Sequence, residues 1–439
     1  MFVFLFILRY TCITLFRGGE TPMDYSSYPR HDVLCIDMRS FYASVEAVRL
    51  GVDPLKTMLA VVGDTTRPGS IVLAASPTLK KTYGVKNVSR YYELPQDPNI
   101  HIVQANMADY LHTSLKITRL LNDFAPKEAI HPYSIDEIWL TVDGLEKLFG
   151  KRKEIAKHVQ NAILNSFGIM STIGVGDNKF LAKVVMDLHA KKADSGIAEC
   201  TYEDVADRLW PFEVEKIWGI GSRMKHNLQR LGITTFGQIA HYPLVALKKH
   251  FGIMGEQLYW HAWGIDLSPV FGDFIKNTQK SYGHGIALLR DYSKEETYVC
   301  MLELCEEACR RARTDRKVGR TVQLAIGYAN DTGGFNRSKS FLSPTNITME
   351  MFTLCQELFD TFYNGKSMIR HVSVSLTNLA EDTNTQLDLF FERPQEKDIG
   401  YTMDQIRAQF GSTAILRASS FTDAGTTLER SKKIGGHWA

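Results

Sequence analysis

Short apolar runs bounded by polar residues occur at 33–36 (VLCI), 59–63 (LAVVG), 70–76 (SIVLAAS) and 171–176 (STIGVG), and each predicts a buried strand. Between them, apolar positions follow the helical period over 41–49, 106–123 and 151–167. This alternation predicts an α/β region over 30–200 with the split β-α-β arrangement of ferredoxin-like folds. Beyond Thr201 the pattern changes to short helices broken by glycine, down to about Pro269. From about 280 to 380, strands at 281–289, 321–328 and 370–378 combine with two amphipathic helices in the order β-α-β-β-α-β. AEDTNT and RPQEKD then mark a polar connector, and the last forty or so residues predict mostly irregular structure. The fold class is multidomain α+β, without internal repeats or low-complexity tracts.

One run resists this simple reading. In YSIDEIWLTV, residues 133–142, two carboxylates stand side by side, Asp136 and Glu137, within an otherwise strand-like segment. Successive residues of a regular strand point to opposite faces, so at least one acid sits awkwardly. Either the chain bends and both acids converge on a cation, or a hairpin turn leaves them solvated. Asp37 ends the strand VLCI, so three carboxylates from distant segments could meet. Hard divalent cations take oxygen ligands, and magnesium uses few carboxylates plus substrate phosphates. Two such ions clamp the attacking and leaving oxygens of a phosphoryl displacement.

Composition narrows the setting. A 44% hydrophobic chain of 439 residues with net charge +2 is an ordinary globular protein of roughly three domains. So small a net charge neither demands nor excludes a nucleic-acid partner; local clustering must decide. Seven cysteines without paired spacing fit a reducing compartment, hence the cytoplasm. Cys300, Cys305 and Cys309 fall near one helical stripe and read as buried thiols rather than a zinc set. MFVFLFILRYTCITLF is apolar enough to resemble a signal peptide, but Arg9 interrupts it and the basic leader is missing. It is also shorter than the roughly 20 apolar residues that span a bilayer. Residues 1–29 are therefore an extension of uncertain reality. Translation is expected to start near Met23, with a membrane tether as the alternative; no later segment comes close to spanning.

CIDMRSFYASVEAV, then YSIDEIWLTV, then IGVGDNKFLAKVVMDLHAKK together resemble the Y-family translesion DNA polymerases. The likeness is greatest to the polymerase V catalytic-subunit type found as single chains in Gram-positive bacteria and their mobile elements. It covers roughly residues 30–390. It implies a right-hand polymerase: palm and fingers at 30–200 (fingers about 41–107), a helix-hairpin-helix thumb at 201–270 and a little finger at 280–380. Carried over, Asp37 and Asp136 bind two Mg2+ ions, Glu137 binds the catalytic one, and Met38 lends its carbonyl. Phe41 and Tyr42 border the incoming nucleotide, with Tyr42 as the steric gate against a ribose 2′-hydroxyl. Lys81 and Lys191 neutralise the triphosphate. The polymerase IV branch often has a tyrosine ahead of the first basic residue, where this chain has Thr78 after Pro77. Ser76 or Thr78 hydroxyls are the expected substitutes.

VEKIWGIGSRMKHNLQRLGI, residues 214–233, has the form of a helix-hairpin-helix whose Gly219 and Gly221 let backbone N–H groups approach a phosphate. RRARTDRKVGR is the densest basic cluster. Its Arg310, Arg311, Arg313, Arg316, Lys317 and Arg320 read as a DNA grip, or more blandly as a solvated helix end. In the segment 381–439, Gln386, Leu387, Leu389 and Phe390 resemble the pentapeptide that holds bacterial polymerases on the sliding clamp, with an edge strand as the alternative. The expected activity is error-prone addition of deoxynucleotides to a primer opposite damaged template DNA. The rivals are a non-catalytic DNA-binding scaffold and a nucleotidyl cyclase.

Overall fold

The computed structural model describes residues 23–274, 279–331, 333–383 and 394–439, in two compact units that divide at Ile275 and Lys276. In the first unit, β1 (Val33–Met38) is the central strand of a five-stranded sheet. It lies antiparallel to both β6 (Glu137–Thr141) and β7 (Ser171–Gly176). β5 (Ile130–Pro132) and β8 (Ile197–Cys200) complete the edges. Being central explains why VLCI has no polar alternation: Val33, Leu34, Cys35 and Ile36 are fully buried, with both faces covered. Burying each such aliphatic side chain stabilises the fold by roughly 1.5–3 kcal/mol.

The helix Lys179–Leu188 lies directly on β7. A Cβ at Gly174 would come within 2.0 Å of the Ala182 carbonyl oxygen, so STIGVG carries glycine where helix and strand backbones touch. The same helix turns Phe180, Leu181, Val184 and Val185 toward a second core, shared with the short helices of 205–262. A smaller three-stranded sheet, β2 (Leu59–Val62), β3 (Val72–Ala75) and β4 (His101–Gln104), builds its own core on Val62, Val72 and Leu79.

The second unit is a four-stranded antiparallel sheet in the order β11-β10-β12-β9. Its strands are β9 (Ser281–Tyr292), β10 (Lys317–Tyr328), β11 (Gly334–Thr345) and β12 (Ile369–Glu381). Helices Lys294–Thr314 and Thr348–Phe362 pack on one face. Cys300, Cys305 and Cys309 lie buried on the first of these helices, as expected of core thiols.

The tail departs from expectation. Pro394–Phe410 is a helix, and both it and the 3₁₀ turn Ala418–Phe421 pack back on Lys294–Thr314 instead of running irregularly. The polar residues that suggested a solvated tail are paired inward. Arg407 and Arg417 converge on the two oxygens of Glu306 at 2.6 and 2.7 Å, and Ala424 enters the core. A short hairpin, β13 (Lys433–Ile434) and β14 (His437–Trp438), ends the chain. Among the described residues no helix is long and apolar enough to cross a membrane; residues 1–22 lie outside them.

Candidate active site and nucleic-acid interface

Asp37 and Glu137 are direct partners in the register of β1 and β6, and Asp136 occupies the bend just before β6 begins. The chain therefore does bend at the paired acids. The Met38 amide donates to the Asp136 carbonyl at 2.9 Å, which fixes the bend against β1. Ser134 Oγ donates to Asp136 Oδ1 at 2.6 Å. Asp37, Met38, Asp136 and Tyr42 line one cavity of about 660 Å³, with Lys80, Lys81 and Lys191 on its walls.

Glu137 behaves differently from its neighbour. It is 7% exposed and is not among the residues lining this cavity. Its Oε2 accepts from Lys183 Nζ at 2.7 Å and its Oε1 from the Cys35 thiol at 3.3 Å. Accordingly, among the described residues no group of three or more acids, histidines or cysteines gathers around one point. Two lysines instead occupy the carboxylates: Lys183 on Glu137, and Lys191 at 3.3 Å from Asp37.

The electrostatics are those of an acid short of positive charge. Burial pushes the Asp37 carboxyl up to about 6, Lys191 pulls against that, and Asp136 adds to it. Burial pulls the Lys191 ammonium down, but Asp37 and a hydrogen bond to Asp187 outweigh it and hold its pKa above the usual lysine value. Oxygen donors on adjacent strands, one of them ionising reluctantly, suit a hard divalent cation. The residues present fit such a cation.

Other expected site residues divide. Phe41 and Tyr42, on the first turn of the helix Phe41–Arg49, both line the cavity; Tyr42 is half-buried and Phe41 buried. Ser40, between Asp37 and Tyr42, holds φ at 47° without being glycine, a conformation that costs roughly 1–2 kcal/mol and sits where the chain must turn from β1 into the helix Phe41–Arg49. Ser76 and Thr78 are corrections. Ser76 Oγ caps the helix Pro77–Tyr83 and accepts from the Leu79 and Leu59 amides, while Thr78 donates to the Leu55 carbonyl. Both hydroxyls are engaged within the protein, and neither residue lines the cavity. Sequence reasoning missed Lys80, which sits deeper than the exposed Lys81 and reaches Ser40 Oγ at 3.4 Å. Burial lowers its ammonium pKa, with Asp37 opposing. The adjacent pair KK offered no signal as to which would turn inward.

In the thumb region, Gly219 takes φ 90° and Gly221 precedes the helix Ser222–Arg230, so the exposed end of that helix presents free N–H groups. The first element of this motif is a 3₁₀ turn, Val214–Lys216, rather than a full helix.

In the second unit the basic run is only partly free. Arg313 is 4% exposed, forked onto Asp404 at 2.6 and 3.1 Å and donating to the Asn346 carbonyl at 2.8 Å, so it cannot meet DNA. Arg311 binds the Gly283 carbonyl, Arg310 pairs with Glu307, and Lys317 with Glu381. Arg316 and Arg320 are on the surface. The sheet itself supplies an alternative surface. Val322, Leu324 and Ile326 face the helices, so Thr321, Gln323 and Ala325 face away. Their register partners are Ser340, Ser338 and Asn336 on one side, and Thr377, Ser375 and Ser373 on the other. This hydroxyl-rich face is what short polar donors to phosphate and sugar oxygens require. Gln386, Leu387, Leu389 and Phe390 lie outside the described residues.

Comparison with known proteins agrees with this architecture. Residues 36–187 match the impB/mucB/samB family, 279–389 its C-terminal domain, and 215–266 the thumb domain of DNA polymerase iota. The putative UV-damage repair protein UvrX of Bacillus subtilis is 50% identical over 94% of this chain and 99% of its own length. DNA polymerase IV 2 of the same organism is 42% identical over 92% of this chain and 98% of its own. The structure also resembles "Y-family DNA polymerase chimera Dbh-Dpo4(243-245)-Dbh", at TM-score 0.63 and 24% identity, over 80% of this chain and 99% of the chimera. The chain thus belongs to the impB/mucB/samB family of Y-family DNA polymerases.

Proposed function

We propose that this enzyme carries out error-prone, template-directed DNA synthesis, adding deoxynucleotides to a primer 3′ end opposite damaged bases. The observation that carries the reading is the cavity that unites Asp37 and Asp136 with Tyr42 and three lysines. Two acids on one wall and Lys80, Lys81 and Lys191 on the others suit a metal–triphosphate and little else. Asp37, Asp136 and the Met38 carbonyl would hold two Mg2+ ions, and Glu137, opposite Asp37 in the sheet, would join the catalytic one. When bound, such ions lower the pKa of the attacking hydroxyl and stabilise the leaving oxygen.

The chain's own residues do the rest. Lysines around the cavity neutralise and orient the triphosphate, so the α-phosphorus meets the primer hydroxyl in line with departing pyrophosphate. Tyr42 closes the space beside C2′. Asp37 acts as a ligand in its ionised form, so a cation competes with the proton that burial favours on its carboxyl. Gly219 and Gly221, the open sheet face and the exposed Arg316 and Arg320 hold primer–template backbone without reading bases. The UV-damage repair role in the name of the relative UvrX supports damaged DNA as substrate. The peptide at Gln386–Phe390 is proposed to tether the enzyme to the sliding clamp, and the work is assigned to the cytoplasm.

Primer extension by purified residues 23–439 with Mg2+, on undamaged and abasic templates, tests the reading. Short distributive products on both are expected. Tight primer–template binding without any extension would return the chain to the scaffold alternative.

A further inference from the structure

Tyr42 is not held by its own helix alone. Its ring lies face to face with that of Tyr110, centroids 4.4 Å apart and planes within 14°. Tyr110 stands on the first turn of the helix Met107–Leu120, started by Asn106, and is fully buried. Its hydroxyl donates to Glu46 Oε1 at 2.8 Å. Glu46 is four residues after Tyr42, one turn further along the same helix face. Tyr110 therefore lies along that face, its ring backing the gate and its hydroxyl pinned one turn away.

Glu46 is an unusual anchor. Its carboxylate is 0% exposed, and its other oxygen has only the Arg49 guanidinium, at 2.7 Å, as counter-charge. A buried carboxylate on an amphipathic helix is costly to keep, and apolar packing would serve the core better. What an acceptor supplies here, and a leucine would not, is a fixed position for the Tyr110 hydroxyl.

We propose that Glu46 is a positioning residue for sugar discrimination. Acting through the Tyr110 hydroxyl, it fixes the ring against which Tyr42 stacks, and so sets how far the gate can recede from a ribose 2′-hydroxyl. This rests on the reading of Tyr42 as the gate. Phe41 is the second ring against Tyr42, centroids 5.9 Å apart. The open direction left to Tyr42 is the cavity it lines, and loosening Tyr110 gives the gate a second.

Single-nucleotide insertion kinetics with matched ribo- and deoxyribonucleoside triphosphates test this in Tyr42→Ala, Tyr110→Phe, Glu46→Gln and Glu46→Leu. Tyr110→Phe keeps the ring and loses the hydrogen bond, so it stays informative should Glu46→Leu fail to fold. The expected result is a ribonucleotide kcat/KM raised about tenfold by Tyr110→Phe, as befits a lost charge-assisted hydrogen bond. Glu46→Gln, which still offers an acceptor, should restore most of the discrimination lost in Glu46→Leu. In the Tyr42→Ala background, Tyr110→Phe should add nothing. A purely structural role for the pair would lower both substrates' kcat/KM together and leave their ratio unmoved, which overturns the proposal. If Tyr42→Ala itself leaves the ratio unchanged, the gate reading falls and the proposal with it. If Tyr42→Ala raises ribonucleotide use and Tyr110→Phe does not, the gate stands and the proposal alone falls.

Discussion

At Asp37 the native environment keeps the carboxyl protonated up to about pH 6, whereas an unfolded chain releases that proton near 3.8. Between those values the native state binds more protons than the unfolded state, so stability falls as pH rises through the window. Above it, ionised Asp37 costs the metal-free fold roughly 2–3 kcal/mol. Asp37→Asn should therefore stabilise the metal-free protein by about that amount at pH 7.5, with the gain vanishing below pH about 4. Chemical denaturation in chelator across pH measures it; identical curves for variant and wild type would mean that Asp37 is not strained by its surroundings. Such a residue, destabilising yet placed at the centre of the sheet, is what a cation-binding role demands. Glu137 shows the complementary solution, a buried acid satisfied by Lys183 and Cys35. The sequence marked Asp136 and Glu137 by their adjacency, but it carried no sign that Glu137 would turn to a lysine forty-six residues on.

At the scale of elements, β1, β6, β7 and the helices around them were readable because apolar runs and helical periods coincide with burial there. The order β-α-β-β-α-β of the second unit was readable for the same reason. What escaped was decided by pairing rather than pattern. The helix Pro394–Phe410 and the turns after it are polar in sequence, yet their arginines reach back to Glu306 over separations no local window spans. Arg313 is the counterpart: within a basic run it reads as a phosphate contact, but its partner is ninety-one residues away. Arg313→Ala should destabilise the protein by about 3 kcal/mol, since it leaves the mostly buried Asp404 with only the longer contact to Arg407, at 4.0 Å, among the described ion pairs. Ser338→Glu, on the open face of the sheet, should leave stability unchanged and weaken primer–template binding about tenfold at low salt. Denaturation and fluorescence anisotropy on both variants check the contrast. The reverse pattern would put the DNA grip back on the basic run.

For the whole molecule, the proposed function puts chemistry and DNA grip on different parts of the chain: the acids on β1 and at the start of β6, the backbone contacts on 214–233 and the second unit. Clamp tethering, as proposed, would be a third, separable function, because a docked peptide raises local concentration without touching the active site. Leu389→Ala combined with Phe390→Ala should leave extension of short free primers intact and remove stimulation by a loaded clamp. Equal stimulation of variant and wild type would make that peptide structural. The same separation yields the most direct test of the proposed metal-binding acids. Asp136→Ala and Glu137→Ala, each measured for single-nucleotide insertion and for primer–template affinity, should lose insertion by about a thousandfold or more while affinity changes less than about twofold. Insertion near the wild-type rate by either variant would contradict the account.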